Sequence, residues 1–188
     1  MNDNQLAKKD QSLLLGLARQ AIALRLAGER PHLEVSQYPA HLQAQGACFV
    51  TLEIDDHLRG CIGSLEAYRP LVLDVWENAQ AAAFQDPRFP RMNEQDFEHT
   101  AIEISVLTQP RPLFVETEED LLKKLRPGID GLILTTGARR ATFLPAVWES
   151  LPRPMDFLRQ LKLKAGIQPQ DWPADIQFEI YQSQSFHE

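Results

Sequence analysis

Cysteine is almost missing from this chain: Cys48 and Cys61 are the only two among 188 residues, and no C-x-x-C pair exists. With five scattered histidines and no H-x-x-x-H spacing there is no zinc signature, and no structural metal is expected. Long apolar runs are absent as well. None approaches the roughly 20 residues that span a bilayer, so no membrane association is expected. Met1–Gln5 has neither the basic region nor the apolar stretch of a secretory leader, which makes the cytoplasm the expected location. A reducing compartment disfavours a Cys48–Cys61 disulfide. Positive charge is in deficit: 19 Lys and Arg against 26 Asp and Glu give a net charge of −7 and a pI near 5.3. Phosphates are repelled by such a chain, which argues against general nucleic-acid binding. What remains, 44% hydrophobic and 24% charged residues without low-complexity segments, is the composition of an ordinary folded protein.

Apolar spacing predicts a helix from about Asp10 to Ala27, with Asp10 or Ser12 as cap and Gly28 as its left-handed stop. From Glu29 to Gly46 no period emerges, and Pro31 and Pro39 punctuate a long ordered loop. Loops of this length are often functional, which leaves open whether residues 29–46 gate a site. Ala47 to Ile54 reads as a strand, Asp55-Asp56 as a turn, and His57 to Gly63 as the returning strand. Pro70 opens a helix that Asp86-Pro87 closes. A connection then runs to Thr100, and Ile102, Ile104 and Val106 alternate as a third strand. The second half repeats this order. Thr117 caps a short helix with Asp120 three residues on, residues 131–136 and 139–144 form a hairpin, residues 154–165 a helix stopped by Gly166, and residues 176–180 a closing strand. The expected fold is α+β: one domain over 1–188 with two packed subdomains, 10–110 and 111–188, of repeated α-β-β-α-β pattern. Mixed or antiparallel sheets with a cleft between them complete the expectation.

The stretch Leu58-Arg59-Gly60-Cys61-Ile62-Gly63 stands out, because glycine inside a strand marks a bulge or a close approach of another group. Period-two alternation puts Arg59, Cys61 and Gly63 on one face, and Cys48, Val50 and Leu52 on one face of the preceding strand. A two-residue turn places Cys61 opposite Val50, although the turn lacks the usual glycine and the register stays open by one residue. Cys61 is the candidate nucleophile, with Arg59 as the nearby cation and His57, His32 or Asp86 as a base. The alternative is a small buried thiol. Arg59 is a carboxylate or phosphate ligand, or the ion-pair partner of Glu53, Asp55 or Asp56. Gly60 and Gly63 admit a ligand to the backbone or tolerate a bulge. Asp86 and Arg88 bring charge to the hairpin or bond to loop backbone. Glu103 faces solvent or a cleft, and Ser105 shares its face.

At Leu58–Gly63 the sequence resembles the AMMECR family, whose prokaryotic members are protein A of the AmmeMemoRadiSam system. Further matches are Phe49-Val50-Thr51-Leu52, Asn78-Ala79 through Ala82-Ala83-Phe84, Asp86-Pro87-Arg88-Phe89, Glu103–Leu107, Phe143-Leu144-Pro145 and Lys164-Ala165-Gly166. Ala146 departs from the glutamine that members often carry there. The resemblance implies a two-part α+β fold with a cleft near Gly60–Gly63. It implies a pathway more than a mechanism, with a Memo-like protein and a radical S-adenosylmethionine (radical SAM) protein as partners. Iron and cluster chemistry would belong to those partners, so no cofactor is expected here. The resulting expectation is a small molecule or peptide bound by Arg59, Gly60, Ile62, Gly63, Asp86, Arg88 and Glu103 around Cys61, with thiol-dependent modification as its enzymatic form. The rival expectation is a non-catalytic module that binds the Memo-like or radical SAM partner.

Overall fold

The computed structural model describes residues 5–29 and 32–188, so Pro31 of the expected loop lies outside the described residues. Helix α1 (Lys8–Leu26) begins two residues before Asp10, with Ala7 as its N-cap and no side-chain cap. Asp10 stands instead in the first turn, where an acid suits the helix dipole, and His41 Nε2 lies 2.9 Å from its Oδ2. Gly28 at φ +80° ends the helix as expected, and Glu29 N donates to Leu24 O. The expected loop holds more structure than its sequence suggests. A single 3-10 turn, Val35–Gln37, and the short α2 (Ala40–Gln43) lie in it, and Leu33 and Leu42 are buried.

The first unit comprises the chain to Thr108 together with Gln184–Glu188. Its sheet centres on β1 (Gln45–Ile54), paired antiparallel with β2 (His57–Gly63) on one side and β4 (Thr100–Leu107) on the other. Strand β3 (Arg69–Pro70) adds to β1 at Gln45 and Gly46, and β9 (Ser183–His187) lies beside β4. Asp55 and Asp56 make the two-residue turn at φ 51° and 60°, so Asp takes the left-handed positions where glycine is usual. The inner face carries Cys48, Val50, Leu52, Ile102 and Ile104, none with any exposed surface. These pack with Leu14, Ala18 and Ile22 of α1 and with Val72, Val75 and Ala79 of α3 (Leu71–Phe84). Full burial of each such aliphatic side chain stabilises by roughly 1.5–3 kcal/mol, which makes this layer the core. A further helix, α4 (Glu94–His99), precedes β4; Asn93 caps it by accepting from Asp96 N.

The second unit, Gln109–Ser183, repeats the plan. Its order is β5 (Arg111–Pro112), α5 (Glu118–Lys124), β6 (Gly131–Thr136), β7 (Arg139–Phe143), α6 (Pro154–Lys164) and β8 (Gln177–Tyr181). Thr117 caps α5 by accepting from Asp120 N, as its sequence foretells. Leu132, Leu134, Phe157, Leu158 and Phe178 form its core, with Trp148 and Phe157 stacked at 3.8 Å. The two sheets share a topology: β2-β1-β4 in one and β7-β6-β8 in the other, each hairpin's first strand pairing with the strand that follows the crossover helix. The fold is thus α+β on antiparallel sheets. Strand β9 follows β8 in the chain but lies beside β4, so residues 184–188 complete the first unit's sheet, whereas β5 pairs with β8 inside the second unit.

Candidate functional site

The position of Cys61 is decided by one extra residue. The hairpin starts in regular register, Ile54 opposite His57 and Glu53 opposite Leu58, but Leu52 then pairs with Gly60, leaving Arg59 as a β-bulge. The expected pairing of Cys61 with Val50 is corrected to Cys61 with Thr51. A one-residue slip moves side chains to the opposite face, so the bulge carries Cys61 from the core side to the outer side. Cys48 stays inside with no exposed surface, and desolvation pushes its thiol pKa well above the ordinary value. Cys61 is only partly buried, and Thr51 Oγ1 donates to its Sγ at 3.4 Å.

The glycines serve close packing. A Cβ on Gly60 would lie 2.2 Å from the Ala82 carbonyl oxygen, so glycine lets α3 rest on the hairpin backbone. Gly63 pairs directly with Phe49, whose ring occupies the space a Cβ would need. Gly131 and Tyr181 repeat that cross-strand pair in the second unit. Ile62 lies opposite Val50 and packs on the core.

Strand β2 is an edge strand, and the Asp86-Pro87-Arg88 segment closes its open side at Cys61. Asp86 Oδ2 accepts from Cys61 N at 2.9 Å, and Arg88 Nη2 donates to Cys61 O at 3.3 Å. The two side chains also form a fork: Arg88 Nε donates to Asp86 Oδ1 at 2.9 Å and Nη2 to Oδ2 at 2.7 Å. This fork, opposed by burial and aided by the backbone donors of Cys61 and Arg88, holds the Asp86 carboxyl far below the usual carboxylate range. Arg88 is raised above its ordinary value by Asp86. The guanidinium that reaches Cys61 is therefore Arg88, through the backbone carbonyl. Arg59, which the sequence offers for that place, goes to Asp96 Oδ2 of α4 at 2.9 Å and not to Glu53, Asp55 or Asp56. Its Nη1 is buried without a hydrogen-bond partner among the described residues.

On the outer face Thr51 also pairs with Glu103, which sets Cys61, Thr51 and Glu103 in one cross-strand row. Phe49, Ser105 and Gly63 make the next row, and Ser105 Oγ lies 2.7 Å from Ser185 Oγ of β9. Among the described residues no group of three His, Cys, Asp or Glu is placed to hold a metal ion. No helix among them is long and apolar enough to cross a membrane.

Sequence reasoning missed Thr51, Asp96 and Asp74. Fully buried Asp74 accepts from Cys48 N at 2.8 Å, Ser64 Oγ at 2.7 Å and Arg69 Nε at 2.8 Å. Asn78, one helical turn on, donates to Cys48 O at 3.2 Å. The network serves the β1 backbone between β2 and β3, where the ladder is interrupted. Its signal was available: two polar residues four apart beside an apolar helical stripe.

The geometry defines a class: two α+β units on antiparallel sheets, one bearing an outward thiol on a clamped edge hairpin. A family model described as AMMECR1 matches residues 15–186. The chain belongs to the AMMECR1 family. It is 36% identical to a Methanothermobacter thermautotrophicus protein over 190 residues, 97% of this chain and 96% of that one. Protein MK0488 of Methanopyrus kandleri is also 36% identical, over 98% of this chain and 91% of its own. The crystal structure of uncharacterized protein PH0010 from Pyrococcus horikoshii superposes with a TM-score of 0.82 at 31% identity, covering 94% of this chain and 90% of that one.

Proposed function

We propose that the outer sheet face around Cys61 binds a small molecule or peptide, with the thiol in contact with it. The supporting observation is the bulge at Arg59, which turns Cys61 outward beside Thr51 and Glu103 while Cys48 stays sealed in the core. Arg88 donates to the Cys61 carbonyl and holds that backbone from the open side of the strand. Asp86 fixes the same strand. Thiol-dependent modification is the enzymatic form of this reading. Iodoacetamide on the native protein tests accessibility: Cys61 is alkylated and Cys48 is not. Equal resistance of both thiols overturns the proposal. Loss of pathway activity in both Cys61→Ser and Cys61→Ala, with fold intact, supports chemistry at the sulfur.

A second reading is an interaction module for a Memo-like or radical SAM partner. It is favoured by exposed apolar side chains around the same strand, Leu58 at 42%, Leu65 at 40% and Tyr68 at 61%. Normal function in both cysteine variants, with lost partner binding in Tyr68→Ala, selects it.

A further inference from the structure

The second unit holds a groove of about 780 Å³, within the size range of small-molecule sites. Phe178, buried in the core, contributes to its lining, with Leu113, Val115 and Ile176 as apolar neighbours. Phe114 stands on its rim with 84% of its surface exposed, the most exposed large apolar side chain among the described residues. The wall is fixed: Lys124 Nζ, on α5, donates to Phe114 O at 2.8 Å and to Asp120 Oδ2 at 2.8 Å. Lys124 is thereby neutralised within the lining. Two more carboxylates, Glu116 and Glu179, line the same groove. Glu116 makes no ion pair among the described residues, and Glu179 meets Arg140 only at 3.9 Å. The lining thus combines an unpacked aromatic face, an apolar floor and an excess of negative charge.

We infer that this groove binds a small organic cation with an apolar body, an aryl- or alkylammonium compound. The Phe114 ring accepts the cation face-on, the carboxylates of Glu116 and Glu179 neutralise it, and the floor takes its hydrocarbon part. An organic anion of the same shape is repelled. None of these residues belongs to the Cys61 surface, so this inference and the proposed function stand or fall separately.

Phenethylammonium and phenylacetate, titrated into the full-length protein at equal ionic strength and followed by amide chemical shifts, test it. The cation is expected to give saturable shifts at Phe114, Glu116 and Gln177, and the anion none. Phe114→Ala and Glu116→Gln each weaken that binding by about fivefold or more, and both positions are exposed enough to leave the fold intact. Absence of saturable shifts at these amides, an equal response to phenylacetate, or unchanged binding in both variants overturns the inference. Saturation by a blocked lysine-containing peptide, with phenethylammonium inert, overturns it in favour of a protein partner.

Discussion

Asp86 is the residue on which the thiol strand's backbone depends. Its carboxylate accepts from Cys61 N and Arg88 N and receives the Arg88 fork, with about 1% of its side chain exposed. An amide keeps one acceptor but turns donors toward Arg88, leaving buried polar groups mismatched. Asp86→Asn is expected to lower stability at pH 7 by about 1–3 kcal/mol in urea denaturation. The pH dependence has a definite sign. The folded carboxyl is depressed from the unfolded value near 3.9, so the ionised group stabilises fully above about pH 4 and loses that contribution as pH falls toward the folded value. The gap between wild type and variant therefore narrows below about pH 4. A gap that is constant with pH assigns the effect to shape rather than charge.

At the scale of elements, the glycines of the hairpin separate packing from backbone freedom. Gly60→Ala puts a Cβ 2.2 Å from Ala82 O, which requires β2 or α3 to shift. A loss of about 1–3 kcal/mol is expected, read as a lower denaturation midpoint at unchanged slope. Gly16, in mid-α1 with nothing within 4 Å of its Cβ position, is the control. Gly16→Ala raises stability by about 0.5–1 kcal/mol. Equal effects at the two positions refute the close-approach account. The same contrast explains what the sequence disclosed. Gly28, Thr117 and Gly166 carry local stop and cap chemistry, so the helix ends near them were legible, as were the hairpins and the α-β-β-α-β order. A bulge was legible only as one of two readings of Gly60; its place at Arg59 was not, because Gly60 against Ala82 joins residues far apart in sequence. Helix α4 has only Phe97 as a large apolar residue in six, and β9 has only Phe186 in five, so neither shows a period. Of the site, Cys61, Asp86 and Arg88 were visible as residue types. Thr51 and Asp96 became visible only through register and through the bulge that re-aims Arg59.

For the molecule as a whole, strand β9 matters most, because the first unit's sheet is completed by residues 184–188, which follow the whole second unit in the chain. Strand β9 covers the edge of β4 in the first unit. Phe186 is buried in that unit's core, Glu188 N donates to Ile102 O, and Glu188 ion-pairs with Arg19 of α1. Gln184 holds Leu6 ahead of α1 through both its amide atoms. Deleting residues 184–188 removes all of this at once. Loss of Phe186 alone is worth about 3 kcal/mol or more, and the freed β4 presents unpaired N–H and C=O groups to any strand that reaches them. The truncated chain is thus expected to unfold at lower denaturant and to associate with rising concentration, seen by sedimentation velocity from micromolar upward. The Phe186→Ala chain keeps the β9 backbone in place, so it loses stability yet associates no more than the wild type. If both variants associate alike, exposed core and not the open edge drives assembly. If neither is destabilised, β9 is an accessory to a first unit that closes without it.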